Sequence, residues 1–410
     1  MENSSLLYII IAILIVQYLI DLVLDFLNAK TFNSKIPEEL NDVFDKKEYE
    51  KSQAYSKVNH RYALLSDSFS LLLTLSFLLL GGFEWVDAMV RDFTENPILM
   101  ALLFFGTIIL GSSLISIPFS YYQTFVIEER FGFNKTNKVT FFFDIVKGWL
   151  IAAIFGGSIL ALVMLFLQWA GTNFWLYAWG LIAAVMLFLN LFYSKLIVPL
   201  FNKQTPLAAG NLKNAIESYA QQVGFELKSI FVIDGSKRST KANAYFSGFG
   251  SEKRVTLFDT LINDLDEDEI VAVLAHEVGH YKRRHVIVNL AASVLLTGFT
   301  LFILSLFINQ PQLSLAIGVK IPSFHAALLA FGLLYSPISG ITGLLMNLLS
   351  RKFEFEADDF AKRTFAAQPL ITSLKKLSKN NLSNLTPHPA FVFVNYSHPP
   401  LIERIRNLKA

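Results

Sequence analysis

Residues 276–280 read His-Glu-Val-Gly-His. Positions four apart on a helix project from nearly one direction, so His276 and His280 can both reach one ion. Glu277 lies beside that pair, able to touch a water there without itself ligating. Two imidazoles are too few for a catalytic zinc, which takes three protein donors and leaves a fourth position for water. The chain has no cysteine, so the third donor must be nitrogen or oxygen, and disulfides and a thiol nucleophile are excluded too. Glu354 is the candidate, within Arg351-Lys352-Phe353-Glu354-Phe355-Glu356-Ala357-Asp358. Asp358 follows one turn later on the same face, placed to accept the free ring N–H of a ligating histidine. Glu356 competes for the ligand role, but two residues along a helix turn it nearly to the opposite side. One zinc ion per chain is expected.

The elements that must position these groups are helices crossing a membrane boundary. Residues 266–307 read as one helix that begins in water and ends in lipid, with no proline and only Gly279 and Gly298 as glycines. Asp266, Glu267, Asp268 and Glu269 crowd its first turn, where the helix dipole favours them. Lys282, Arg283 and Arg284 mark the membrane surface. His280 precedes the apolar run at Val286 by ~9 Å of helix rise. Glu354 lies a comparable distance beyond the last apolar run, so two neighbouring membrane helices would bring the three donors to one height.

Composition agrees. Hydrophobic residues make up 53% and charged residues 17%, where globular domains carry about a quarter charged. Apolar segments long enough to span occur at 6–27, 64–82, 98–118, 145–167, 174–198, 286–307 and 324–349. The first lacks the basic flank and cleavage site of a removable signal. Of the 35 lysines and arginines, all but Arg91 and Lys320 lie in or beside the segments after spans one, three, five and seven. That asymmetry puts the N-terminus outside and the His-Glu-Val-Gly-His motif in the cytosol. A net charge of +2, with no basic patch interleaved with aromatics, excludes a nucleic-acid partner. The expected fold class is a mostly α membrane protein of seven transmembrane helices with a small cytosolic α+β unit. Its parts are a membrane region at 1–198, a cytosolic unit at 199–285, spans six and seven at 286–349, and cytosolic helices at 350–410.

Between spans, 28–63 is a cytosolic loop, helical around 45–62, and 83–97 is a short external turn. The connector 119–144 is rich in aromatics, either an interfacial segment with its phenylalanines among headgroups or a functional piece. Within 199–285, Leu212, Ile216, Tyr219, Ala220 and Val223 form one helical face ended by Gly224. A strand follows at 229–233, then two strands at 242–249 and 254–258 that flank a hairpin loop at 250–253. His285 reads as part of the interfacial basic cluster, and His60, His325 and His388 as structural. On spacing alone His398, in Tyr396-Ser397-His398-Pro399-Pro400, is an ordinary loop residue before a short helix.

The sequence resembles the type I CAAX prenyl proteases, integral-membrane zinc metallopeptidases of the gluzincin class. The resemblance covers nearly the whole chain. Its carriers are PFSYYQTFVIEERFGFNKT at 118–136, KANAYFSGFGSEKRVTLFDTLI at 241–262, the His-Glu-Val-Gly-His motif, RKFEFEADDFA at 351–361 and YSHPPLIERI at 396–405. It implies that His276, His280 and Glu354 ligate zinc and that Glu277 is the general base. It also implies that His398 faces the developing oxyanion and that Asp358 and Arg404 orient the ligands. Asn243 would contact the site beside the substrate. The strand carrying Asn243, Ala244, Tyr245 and Phe246 would receive an extended peptide as an added strand. Seven helices would enclose a water-filled chamber closed at its cytosolic end by the zinc site. The implied substrate is a peptide or protein at the cytosolic membrane face, prenylated in the family's namesake reaction. The chain lacks the long inserts common in eukaryotic members and closes without an ER retention signal, which points to a bacterial inner membrane. Two alternatives remain at this stage. One is a quality-control protease without prenyl specificity. The other is a seven-helix transporter or receptor with a structural metal.

Overall fold

The computed structural model describes residues 3–32, 35–227, 229–247 and 254–410. Six stretches are long and apolar enough to cross a membrane, and one of them, Lys138–Phe201, runs to 64 residues. At ~1.5 Å per residue that is roughly three times the hydrocarbon thickness. It folds back at Gly171–Asn173, where Gly171 takes φ 56°. The crossings are therefore Asn3–Lys30, Lys46–Leu79, Pro97–Tyr122, the run from Lys138 through Ala170, Phe174–Leu196, His285–Phe307 and Phe324–Thr364. Their number and order match the sequence reading.

Local chemistry starts these rods. Asp45 and Glu48 form a capping box at the head of Lys46–Leu79, so the expected cytosolic helix and the second span are one element. Asn96 accepts from the N–H groups of Ile98 and Leu99, with Pro97 in the first turn. Asn137 accepts from Thr140. Each cap satisfies donors that a helix end leaves unpaired. Most of the residues read as a short turn at 83–97 form a helix, Gly82–Phe93, that buries Phe83, Val86, Asp87 and Val90. Their spacing is that of an amphipathic stripe. Gly81 precedes this helix with φ 74°.

The spans pack against one another at the end that carries Gly82–Phe93, where Ile10, Phe83, Phe104, Phe174, Leu304 and Ile317 belong to one buried cluster. Over their whole length they leave most of their apolar surface open, with only 6–17% of each apolar window buried.

The side that holds the His-Glu-Val-Gly-His motif carries a four-stranded sheet in the order β1-β2-β4-β3. Its strands are β1 (Gln204–Pro206), β2 (Ser229–Ile233), β3 (Ala244–Ser247) and β4 (Arg254–Phe258). β2 and β4 run parallel, while β3 pairs antiparallel with β4, Ala244 opposite Leu257. The expected hairpin pairing is present, and its loop and Phe249 lie outside the described residues. Gly224 ends the helix Asn211–Gln222 with φ 59°, as expected. The core of this unit recruits the connectors 28–63 and 119–144: Leu40, Val43 and Phe44 from the first, and Ile127, Phe131 and Phe133 from the second. Phe131 and Phe133 thus pack in the core of the sheet-bearing unit instead of among headgroups.

The expected long helix is broken. Residues 266–307 are not a single helix: Glu267–Lys282 ends, Arg284 adopts φ 60° and ψ 24°, and His285–Phe307 begins anew. The break occurs without glycine or proline, at a conformation costing a β-carbon-bearing residue about 1–2 kcal/mol.

Candidate active site

The motif helix opens with a capping box between Asp266 and Glu269. Lys376 braces both carboxylates, at 3.1 and 2.8 Å. Two turns later His276 and His280 point at the helix Phe324–Thr364. Their Nε2 atoms are 3.1 Å apart. Glu354 Oε1 lies 3.3 Å from His280 Nε2, and Glu354 Oε2 lies 3.4 Å from His276 Nε2. The three side chains thus form a triangle with contacts of 3.1–3.4 Å, the carboxylate turning one oxygen to each imidazole. Ligands ~2.0–2.1 Å from a tetrahedral zinc ion sit roughly 3.3 Å apart, so the set fits such an ion.

Proton placement supports the same fit. His276 Nδ1 lies 2.8 Å from Asp358 Oδ1 and donates to it, which leaves the Nε2 lone pair free to face the triangle. Glu354 is 3% exposed, and its Oε2 makes no hydrogen bond of good geometry. Glu277, Glu354 and Asp358 supply three carboxylates around the guanidinium of Arg404. A divalent cation would neutralise the excess negative charge. Burial and Arg404 push the His276 imidazolium down, but Asp358 and Glu354 raise it further, to about 9. Metal uptake at this histidine therefore displaces a proton.

Arg404 grips Asp358 with two bonds, Nη2 to Oδ1 at 2.6 Å and Nε to Oδ2 at 2.9 Å. Its Nη1 is 3.4 Å from Glu354 Oε2. The paired carboxylate holds the Arg404 guanidinium above its ordinary pKa despite burial. Glu277 is half-buried, and no hydrogen bond or ion pair engages its carboxylate among the described residues. His398 comes from the loop before the last helix, and its Nδ1 stands 3.0 Å from Glu354 Oε2 with most of the ring exposed. Asn243 is exposed just before β3; its side chain accepts from Ala244 N–H and its carbonyl from Phe258 N–H. β3 is the outer strand of the sheet and runs beside the motif helix. Tyr245 and Phe246 lie in β3.

The sequence-predicted group His276, His280 and Glu354 is drawn together, with Glu277, His398, Asp358 and Arg404 around it. Three residues take places that the sequence reading did not give them. Arg351, given no role in the sequence beyond opening the stretch around Glu354, donates to the carbonyls of Val392, Phe393 and Tyr396. It thereby pins the loop that presents His398. His285, expected at the surface, is 2% exposed and bonds to His280. Glu356, set aside as pointing away, is its other partner. His60, His325 and His388 are structural as expected: His60 packs edge-on against Phe32, His325 binds Asp87, and His388 caps a helix by accepting from Ala390.

Residues 206–410 match the model of peptidase family M48, and residues 25–203 match the CAAX prenyl protease N-terminal region of five membrane helices. The chain belongs to peptidase family M48. A rice protein named CAAX prenyl protease 1 homolog is 34% identical over 98% of this chain and 96% of its own. The CAAX prenyl protease 1 of Saccharomyces cerevisiae is 35% identical over 92% and 89%. The crystal structure of S. mikatae Ste24p superposes with a TM-score of 0.94 at 33% identity, covering 99% of each chain. As an M48 member with apolar helices, the protein is a multi-pass membrane metalloprotease that acts on peptide or protein substrates. The transporter and receptor alternatives fall away.

Proposed function

We propose that this M48 protease is a zinc endopeptidase that removes C-terminal residues from prenylated CAAX-type peptides at the cytosolic membrane face. The observation that carries the chemistry is the donor triangle of His276, His280 and Glu354, with the unpaired Glu277 carboxylate beside it. Zinc, when bound there, polarises the scissile carbonyl and lowers the pKa of a water to roughly 7. Glu277 is the general base that takes the attacking water's proton and returns it to the leaving amine. His398 donates to the developing oxyanion. Asp358 and Arg404 fix the tautomer and orientation of His276. The free edge of β3, with Asn243, Ala244, Tyr245 and Phe246, holds the peptide as an added strand.

Residues 199–285 and 350–410 make up the catalytic part in this reading, and 1–198 with 286–349 the membrane part. The cytosolic orientation rests on the lysine and arginine asymmetry. Prenyl specificity rests on the names of relatives matched along nearly their full length. The compact length does not by itself favour a bacterial inner membrane, because the chain spans 96% of the rice relative.

The test is cleavage of a farnesylated CAAX peptide and its unprenylated twin by the full chain in lipid vesicles, followed by mass spectrometry. The expected result is loss of the last three residues from the farnesylated peptide, abolished by a chelator and restored by zinc. Equal turnover of both peptides would replace prenyl specificity with the quality-control reading. Cleavage of neither would overturn the proposal.

A further inference from the structure

His285 has no part in the mechanism above, yet it is more deeply buried than His276, at 2% against 7% exposed. Its ring lies face to face on Phe353, centroids 4.0 Å apart and planes 7° off parallel. Its Nδ1 stands 3.1 Å from His280 Nδ1, and its Nε2 stands 3.0 Å from Glu356 Oε2. Five residues along an unbroken helix, it would be rotated about 140° away from His280. The left-handed Arg284 swings it back.

The hydrogens on this chain of groups can be arranged in one way once His280 ligates through Nε2. His280 must then carry its hydrogen on Nδ1 and donate it to His285 Nδ1. His285 in turn carries its hydrogen on Nε2 and donates to the Glu356 carboxylate. Both rings stay neutral and every polar atom along the line is used. We propose that His285 and Glu356 are positioning residues for His280, forming a relay that holds its ring orientation and raises its basicity toward the metal. This inference rests on the reading that His276, His280 and Glu354 hold the ion. The two ligand imidazoles are backed unequally. His276 leans directly on Asp358, which Arg404 grips with two bonds. His280 leans on a second imidazole, and that imidazole on a carboxylate whose side chain is 36% exposed.

The test uses the full chain in detergent, stripped of metal and titrated with zinc against a competing chromophoric chelator. Cobalt substitution adds a visible spectrum that reports ligand geometry. His285→Phe keeps a flat ring on Phe353 and removes both hydrogen bonds. Glu356→Gln, at a partly exposed site, leaves the core intact. Each should weaken metal binding roughly 10–100-fold and shift the cobalt spectrum, with the melting temperature of the metal-free protein unchanged. The double variant should bind as His285→Phe does, because Glu356 acts only through His285. His285→Asn, whose amide oxygen falls near the lost Nδ1, should recover part of the affinity, which a packing role would not predict. Single variants within about twofold of wild type, or losses that multiply in the double variant, would overturn the relay alone. A wild-type protein that takes up no metal would overturn the metal-site reading and the relay with it.

Discussion

Gly279 of the motif helix lies directly on Ala357 of the helix that carries Glu354. A β-carbon at 279 would meet the Ala357 Cα and carbonyl oxygen at 3.1 Å, and Phe360 Cβ at the same distance. The glycine between the two histidines lets the helix backbones approach until imidazoles and carboxylate stand 3.1–3.4 Å apart, close enough to hold one ion. Gly279→Ala should push the helices apart by a few tenths of an ångström and cost about 1–3 kcal/mol of stability. Metal affinity should fall with it. Thermal melting and zinc titration would check both, and an unchanged affinity would mean that the close approach does not set the donor distances.

Glu277→Gln should leave zinc binding and folding intact and lower kcat by about 10²–10⁴-fold. The side chain has no structural partner to lose among the described residues. Turnover within tenfold of wild type would remove Glu277 from the role of base.

Arg351→Ala should free the loop carrying His398 by removing its hydrogen bonds to Val392, Phe393 and Tyr396. Peptidase kcat should fall about as far as in His398→Ala, and zinc affinity should hold. Combining the two changes should add little, since in the proposed mechanism both act on the oxyanion contact of His398. Steady-state kinetics on the single and double variants decides.

On the far side of the membrane, Asp87 accepts from His325 at 2.6 Å and from Arg91 at 2.7 Å. Burial opposes its ionised form, but these two donors outweigh it and hold the carboxyl below its ordinary 3.8. A depressed folded-state pKa means this stability is present above about 3.8 and lost as pH falls through the folded value. Asp87→Asn should therefore cost about 1–3 kcal/mol at neutral pH, and the gap from wild type should close on acidification. Melting curves at pH 7 and pH 3 test it.

Glu354 was legible in the sequence because two helices leaving a bilayer must emerge at the same depth, and counting from the last apolar residue finds the partner. The helix starts near Asp45 and Asp266 were legible, the second from its acidic first turn, whereas the capping boxes at both appear only in the structure. His285 was not. Its place depends on a left-handed turn at Arg284, and an arginine carries no local signal for that conformation. Arg351 was hidden for another reason: it binds carbonyls more than forty residues away, while its neighbourhood advertises only a membrane flank. Phe131 and Phe133 have the composition of an interfacial segment, and only the tertiary arrangement shows that they complete the core of the sheet-bearing unit. His398 needed the family resemblance, since a loop histidine before two prolines has no periodicity to read.

The two ligand-bearing arms differ mechanically. Phe324–Thr364 is one rod of 41 residues with Pro337 inside it, running from the external side to the Glu354 carboxylate. The arm bearing the histidines is jointed at Arg284. When a thicker or thinner bilayer changes the lean of these spans, the Gly279–Ala357 contact makes the motif helix follow the rod, and the joint at Arg284 takes up any different lean of His285–Phe307. The spacing of carboxylate and imidazoles is thereby sheltered from lipid thickness.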